Sequence, residues 1–394
     1  MNLRIIEEST PEGLDRHGEA WDAQVSASPQ VSPVLSYSWM RAFLELRIPL
    51  AVRWSCLFAY DGERLAAVLP LVEDGMRGFP PARTVRLSAP RNVFHTTRVD
   101  ALASDRFSTE CFVKFLKSSR RAWPIISLRA LPADSPTIAG AGRAGSFVRV
   151  RESGGENFIS LPGSFSDYAS RLDGKFLREL RRRLRKLEAL GQVAFLLRES
   201  SRPIRENLER FVEVEDSGWK GDGHSSIRQI PGESGFYLRA AEGLARHGWL
   251  EWNFLELDGR TIAAHFALRN GRTLYVLKIG YHREFSAFAP GNLLLWKTIE
   301  NAIAAGDVDE VNFLALCDWH ADWDVRTRPL YDATIFPIPS LAGRLLERLL
   351  RAKPQAPSPR LKAELRTTEP VPPVCSSAFM RCLFQRREHA HSSA

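Results

Sequence analysis

The stretch Tyr275-Val276-Leu277-Lys278-Ile279-Gly280-Tyr281 is followed, after a short loop, by Phe288-Ala289-Pro290-Gly291-Asn292 and then by Leu293-Leu294-Leu295-Trp296. A strand that runs into Pro-Gly and then a helix aims the first N–H groups of that helix outward. Together with the positive end of the helix dipole they can hold a pyrophosphate. Gly291 lets the backbone approach the anion. A Pro-Gly pair also opens ordinary core helices, so the dipeptide by itself leaves both readings open.

Four other side chains have the right chemistry for proton transfer or anion binding. His320, with Asp318 two residues before it, follows the apolar run Val308–Leu316. An imidazole there is a general base titrating near pH ~6.5, or a histidine packed into a loop. His265 lies between Ala264 and Phe266 on a strand pattern, as a core histidine or a base facing a cleft. Lys220, in Trp219-Lys220-Gly221, holds an anion or is a solvated loop lysine beside a packed tryptophan. Tyr281 ends its strand as a proton donor or as edge packing. No HExxH, GxxxxGK[ST] or Ser-His-Asp order is present, which removes the support for metalloprotease, phosphate-loop and hydrolase assignments. The cysteines, Cys56, Cys111, Cys317, Cys375 and Cys382, never fall at CxxC spacing. They read as reduced thiols with no structural zinc, and no metal is expected.

The elements that must position these residues are legible in the second half. Lys175–Leu190 has Phe176, Leu180, Leu184 and Leu187 on one helical face, and Gly191 stops it. A strand at Val193–Leu197 and helices at Ile204–Asp216 and Gly235–Arg246 follow. Leu250–Leu257, Thr261–Leu268 and Thr273–Tyr281 are three strands joined by Asp258-Gly259 and Asn270-Gly271 turns. Pro290 opens a helix that Gly306 closes, and Val308–Leu316 is a last core strand. In the first half, Trp21–Val25, Tyr37–Leu46 and Thr109–Arg121 read as helices. Trp54–Tyr60 and Arg64–Val72 read as a hairpin, Thr84–Ser88 as a strand, and 131–145 as a Gly/Ala/Pro-rich connection. Both halves place an Asp-Gly hairpin after a helix, which suggests a duplicated domain.

The 394 residues, 44% apolar and 25% charged, suffice for two cores and a tail. Of the net charge of +8, the segment from Leu341 onward contributes ten Lys/Arg against four Asp/Glu. The body is therefore nearly neutral, and no nucleic-acid partner is expected. The arginine-rich face within Arg178–Lys186 is a solvated helix face or a site of peripheral contact with an anionic membrane. With Glu7 and Glu8 near the start and no long apolar run, neither a secretory signal nor a membrane span is expected. The expected location is cytoplasmic, with peripheral attachment at the inner membrane face as the variant.

Several of these features together resemble the CelD-like, or BioF-associated, acetyltransferase domain family of the GNAT superfamily, which is related to the tandem GNAT domains of Fem-type aminoacyl transferases. The resemblance rests on Lys175-Phe176 with Arg178-Glu179-Leu180-Arg181-Arg182-Arg183, Gly218-Trp219-Lys220-Gly221, Phe236-Tyr237, the Asp258-Gly259 hairpin with Ile262-Ala263-Ala264, Tyr281, Pro290-Gly291 with Leu294-Leu295, and Val311-Asn312-Phe313-Leu314. It implies an α+β fold of tandem GNAT-like domains, each a mixed, mostly antiparallel sheet flanked by helices. The expected division is a divergent domain at 1–155, an acyltransferase domain at 156–340, and a basic, mostly disordered tail with a short amphipathic helix at 341–394.

The resemblance also implies acetyl-CoA or a longer acyl-CoA as donor, and an amine or hydroxyl of a cell-envelope precursor, such as a polysaccharide sugar, as acceptor. Alternatives are long-chain N-acylation of a lipid amine and a non-catalytic binding module. The roles it implies are His320, Asp318, Tyr281 and His265 in catalysis, and the backbone of Lys278, Ile279, Gly280, Pro290, Gly291, Asn292 and Leu293 around the CoA. Trp219, Lys220 and Trp319 fall at the acceptor. Relatives follow the last core strand with Asp-Phe-Leu-x-Gly and an aromatic-Lys pair, whereas this chain reads Asn312-Phe313-Leu314-Ala315-Leu316-Cys317-Asp318-Trp319-His320. The acceptor site is therefore expected to differ.

Overall fold

The computed structural model describes residues 3–28, 32–74, 84–90, 100–103, 109–118 and 123–336, together with Leu345 and Arg348. The tail expected at 341–394 lies almost wholly outside the described residues. The strands are β1 (Arg4–Glu8), β2 (Trp54–Asp61), β3 (Arg64–Asp74), β4 (Thr84–Ser88), β5 (Leu102–Ala103), β6 (Trp123–Leu131), β7 (Phe147–Ser160), β8 (Val193–Leu197), β9 (Leu250–Leu257), β10 (Arg260–Asn270), β11 (Thr273–Tyr281), β12 (Glu310–Asn312) and β13 (Arg326–Phe336). The helices are α1 (Pro11–Asp15), α2 (Gly18–Ala27), α3 (Tyr37–Leu46), α4 (Glu110–Ser118), α5 (Pro136–Arg143), α6 (Phe165–Arg171), α7 (Gly174–Glu188), α8 (Ile204–Asp216), α9 (Trp219–Asp222), α10 (Glu233–Arg246) and α11 (Pro290–Ala305).

The β9–β10–β11 meander forms where the turn residues demand it. Asp258 and Gly259 both take positive φ, 50° and 78°, as a tight two-residue hairpin requires. All thirteen strands join one sheet in the order β1-β2-β3-β4-β6-β13-β7-β12-β11-β10-β9-β8, with β5 paired to β3. This order is the same from either end once β1 is matched to β8, β2 to β9, β3 to β10, β4 to β11, β6 to β12 and β13 to β7. The two parallel pairings, β4 with β6 and β11 with β12, fall at matched places. The sheet is thus a duplicated half-sheet, mixed and mostly antiparallel, in which each half inserts its last strand beside the other half's.

That exchange corrects several expectations. The connection read at 131–145 contains α5, entered through Ser135, whose hydroxyl accepts from the Ile138 N–H, and Pro136 at its first position. The core strand expected at Val308–Leu316 shrinks to Glu310–Asn312. β7 and β13, absent from the sequence reading, carry the junction, and β7 runs unbroken through residue 155. One apolar cluster spans both halves: Trp39 of α3 meets Phe236 of α10 edge-on at 4.9 Å between ring centroids. A second, on the opposite side of the second half, joins α6, α7 and α11 to the sheet. In α7, Leu177, Leu180 and Leu187 are buried and Phe176 and Leu184 half-buried, while Arg178, Arg181, Arg182 and Arg185 are exposed. Among the described residues no helix is long and apolar enough to cross a membrane. Cys56 and Cys111 stand outside any disulfide, but Cys317 is disulfide-bonded, which departs from the expectation of reduced thiols throughout.

Candidate active site

β11 pairs with β10 as far as Tyr281, but with β12 only over Thr273–Tyr275. Among the described residues, no strand follows Val276–Tyr281 on the β12 side, so the sheet opens there. The chain leaves β11 through a 3-10 turn at Arg283–Phe288 and reaches Ala289, whose left-handed φ of 48° swings it into α11. No side chain caps this helix start. The Asn292 and Leu293 N–H groups donate to the Ala289 carbonyl at 3.0 and 3.1 Å. A β-carbon on Gly291 would meet nothing nearer than the Tyr281 ring, 3.8 Å away. Tyr281 and Gly291, taken from opposite ends of the loop, are therefore neighbours at the mouth of the opening. Pro290 and Leu293 are buried, so only their backbone can face a ligand, and Asn292 is half-buried.

Lys278 does not face this opening. The register on β10 steps from Lys278 opposite Phe266 to Val276 opposite Ala267, which makes Leu277 a bulge residue. The Lys278 side chain enters the interior on the Phe266 side, over the Tyr237 ring, and its Nζ lies 2.6 Å from Glu215 Oε1. Lys220 Nζ reaches the same oxygen at 3.0 Å and also donates to the Ile279 carbonyl at 3.0 Å. The other Glu215 oxygen accepts from the Ile227 N–H. Burial pulls Lys278 down to about 8. Burial would raise Glu215, but the Lys220 and Lys278 ammonium groups hold it at about 2. Lys220, expected to hold an anion, is thus tied to an internal carboxylate. Of Trp219 only the backbone, in α9, is described. Gly280, expected beside the CoA, packs on α8: its β-carbon would lie 3.0 Å from Glu215 Cα.

The histidines differ most from expectation. His320 is 1% exposed, stacked on Phe313 at 4.1 Å, with Trp319 edge-on at 4.3 Å. Its Nδ1 pairs with Asn157 Nδ2 at 3.1 Å, while Asp318 is exposed. Burial lowers His320 to about 3. It is a neutral interior imidazole held by Asn157, not an open base paired with Asp318, because the 3-10 turn Asp318–Trp323 folds it under Phe313. Trp319 follows it into this packing rather than standing at an acceptor. His265 is likewise buried, lowered by burial to about 3, and its Nδ1 has no hydrogen-bond partner. His265 therefore packs in the core and not on the opening, which corrects its expected place in catalysis.

Two of the buried carboxylates, both next to the opening, were not singled out from the sequence. Besides Glu215 there is Glu156 on β7, fully enclosed, which accepts from Arg328 of β13 at 3.0 Å and from Asn312 of β12 at 3.3 Å. Arg328 also reaches Glu310. This group stands where the exchanged strands meet β12, beside the opening. Two glycines in Glu152-Ser153-Gly154-Gly155-Glu156 leave no strand signal, which hid it.

Residues 174–323 match the family model described as an acetyltransferase (GNAT) domain. No curated protein matches the sequence. Among solved structures, FemX is similar over 87% of this chain and 100% of its own, at 10% identity and a TM-score of 0.56. A conserved protein of unknown function from Bacteroides thetaiotaomicron VPI-5482 is similar over 85% and 99%, at 12% identity and a TM-score of 0.50. At such identities the likeness is one of fold. The chain carries a GNAT acetyltransferase domain, which holds both the strand opening and the start of α11, within an architecture shared with FemX.

Proposed function

We propose that the chain is an acyl-CoA-dependent N-acyltransferase whose second half, residues 156–340, moves an acetyl or longer acyl group onto an amine or hydroxyl of a cell-envelope precursor such as a polysaccharide sugar. The observation that carries this reading is the unpaired edge of Val276–Tyr281 leading into the uncapped start of α11. An extended thioester arm can bond along such an edge as an added strand does. Its pyrophosphate then meets the Gly291 amide and the positive end of a sixteen-residue helix. Ile279 lines the arm, and Tyr281, beside Gly291, lines the end of the arm that leads into the pyrophosphate. The envelope acceptor is supported by the CelD-like motif set; the exposed arginines of α7 would suit peripheral contact with an anionic inner membrane face, where a lipid amine would be the acceptor.

A second reading, a module that binds acyl-CoA without turnover, is favoured by one observation: His320 is enclosed and neutral. Titration calorimetry of the full chain with acetyl-, decanoyl- and palmitoyl-CoA tests both. Saturable binding of at least one is expected, and binding of none overturns both readings. Thiol release on adding amino sugars or a sphingoid amine separates the enzyme from the module.

A further inference from the structure

The outer side of α7 carries an unbroken run of positive charge. Lys175, Arg178, Arg181, Arg182, Arg185 and Lys186 are all exposed. At about 100° per residue they fill one arc of about 140°, along about 16 Å of the helix axis, with no acidic residue among them. Glu179 and Glu188 stand at its two borders. Glu179 pairs with Arg182 at 2.6 Å and with Arg183 at 2.7 Å. Lys175, Arg178, Arg181, Arg185 and Lys186 make no ion pair among the described residues. Like charges three and four residues apart destabilise a helix, so an anionic partner laid on the arc would relieve it.

Packing places this helix at the mouth of the candidate site. α7 lies against the 3-10 turn Arg283–Phe288 and against α11, and Phe176 belongs to the same apolar cluster as Phe285 and Phe288 of that turn. Helices in contact lie about 8–10 Å apart between axes, so α7 borders the segment that leads into the start of α11. With a donor phosphate at the Gly291 amide, beside Tyr281, the arm runs inward along the free edge from Tyr281 toward Val276, thioester innermost. Whatever carries the arm therefore stands outside Gly291, next to the turn and α7.

We propose that the basic arc of α7 is the docking surface for an acyl carrier protein, an acidic partner that brings the acyl group as a thioester on a phosphopantetheine arm. This rests on the reading above and names the form in which the donor arrives, since acyl-CoA offers the same arm. Beyond its pyrophosphate, the nucleotide of CoA has one further phosphate, which cannot cover six cations spread over about 16 Å. An acidic helix laid along α7 can. A membrane surface is the other anionic partner, but an interfacial helix inserts its apolar face, whereas Leu177, Leu180 and Leu187 are buried in the protein. Complementary charge steers a partner in and fixes its orientation, here with the arm directed at Gly291. Transfer then forms the C–N bond to the acceptor and breaks the C–S bond. The carrier leaves with its arm as a thiol, which takes the proton that the nitrogen gives up.

The test compares two carriers of the same acyl group. Acetyl, decanoyl and palmitoyl thioesters are offered to the full chain in calorimetry, each on CoA and on the acyl carrier protein of fatty-acid synthesis. For the chain length bound best, the loaded carrier is expected to bind about tenfold or more tightly than the CoA thioester, and high salt to abolish the preference. A variant with Arg178→Gln, Arg181→Gln and Arg185→Gln should bind the carrier about tenfold or more weakly than wild type, while its affinity for the CoA thioester changes less than about threefold. If that variant does not fold, Arg181→Gln alone takes its place, with carrier binding expected to weaken about threefold. Equal affinity of wild type for carrier and CoA, or unchanged carrier binding in the variant, overturns the proposal. A parallel loss of CoA-thioester binding in the variant also overturns it and assigns the arginines to the nucleotide. Arginine-dependent binding to phosphatidylglycerol vesicles without carrier binding overturns it in favour of a membrane contact. If only CoA thioesters bind, the proposal alone falls; if no thioester binds on either carrier, the donor reading falls with it.

Discussion

Gly243 of α10 faces Ser38 of α3 so closely that a β-carbon at residue 243 would lie 2.5 Å from both Cβ and Oγ of the serine. The helices that join the two half-sheets cross at this point, with Trp39 and Phe236 packed beside it. Gly243→Ala gains about 1 kcal/mol of helix propensity but overpacks the crossing, at about 1–3 kcal/mol. A net loss of stability is expected in urea unfolding. Ser38→Gly in the same chain should recover about 1 kcal/mol or more of it by removing the contacted atoms. Strict additivity of the two changes would show that the crossing is not the cause.

His265 and His320 are both held neutral, near 3, by burial. In the unfolded chain an imidazole titrates near 6.5. Between these values the unfolded state binds more protons than the folded one, so stability falls as pH drops from about 6.5 toward 3. Each histidine should contribute a loss on the order of 2 kcal/mol between pH 6.5 and 5. His265→Leu and His320→Asn, each compared with wild type by urea unfolding at the two pH values, should show a shallower dependence. An unchanged slope in both variants would mean that other groups set it.

The meander, α8 and α11 were legible because their signals are local: Asp258-Gly259, Asn270-Gly271, Pro290 and Gly306 punctuate apolar runs of the right period. β7 and β13 were not. Ser153-Gly154-Gly155 and Pro329 break any strand pattern, and what makes strands of these segments is pairing along their length across more than 150 residues of chain. The site divides the same way. Gly291 beside Tyr281 follows from a strand–loop–helix pattern, whereas Glu215 looks like one more carboxylate on a charged helix. Its burial depends on the bulge at Leu277, which turns Lys278 inward, and no alternation of residue types announces a bulge. His320 was misread because a histidine after a strand gives no sign that the next turn folds it under Phe313.

Gly291 has open space where a side chain would point, with the Tyr281 ring nearest at 3.8 Å. Gly291→Val should therefore fold normally, with Tm unchanged within about 2 °C. Its branched side chain would stand between the helix start and an incoming pyrophosphate. Acyl-CoA affinity is expected to drop at least tenfold, about 1.4 kcal/mol or more; Gly291→Ala should fall between the two. Equal affinity in calorimetry across the three proteins would place the phosphates elsewhere.

The exchanged strands make the two halves depend on each other for folding. β13 lies between β6 and β7, with Ile335 opposite both Ile126 and Val148, and with Leu330, Ala333, Ile335 and Phe336 buried. A fragment ending at residue 160 keeps β1–β7 but loses this strand. β6 would then present an unpaired edge and the apolar residues that β13 covers, which favours association over folding. Such a fragment is expected to lack a cooperative unfolding transition and to aggregate. Within the full chain, Ile335→Asp should cost at least 3 kcal/mol, because a carboxylate enters a fully enclosed position without a partner. Thr327→Asp, at the exposed start of the same strand, should cost far less. Chemical unfolding of the two variants, with circular dichroism of the fragment, tests the dependence. A fragment that unfolds cooperatively as a monomer would show that the first half folds without its borrowed strand.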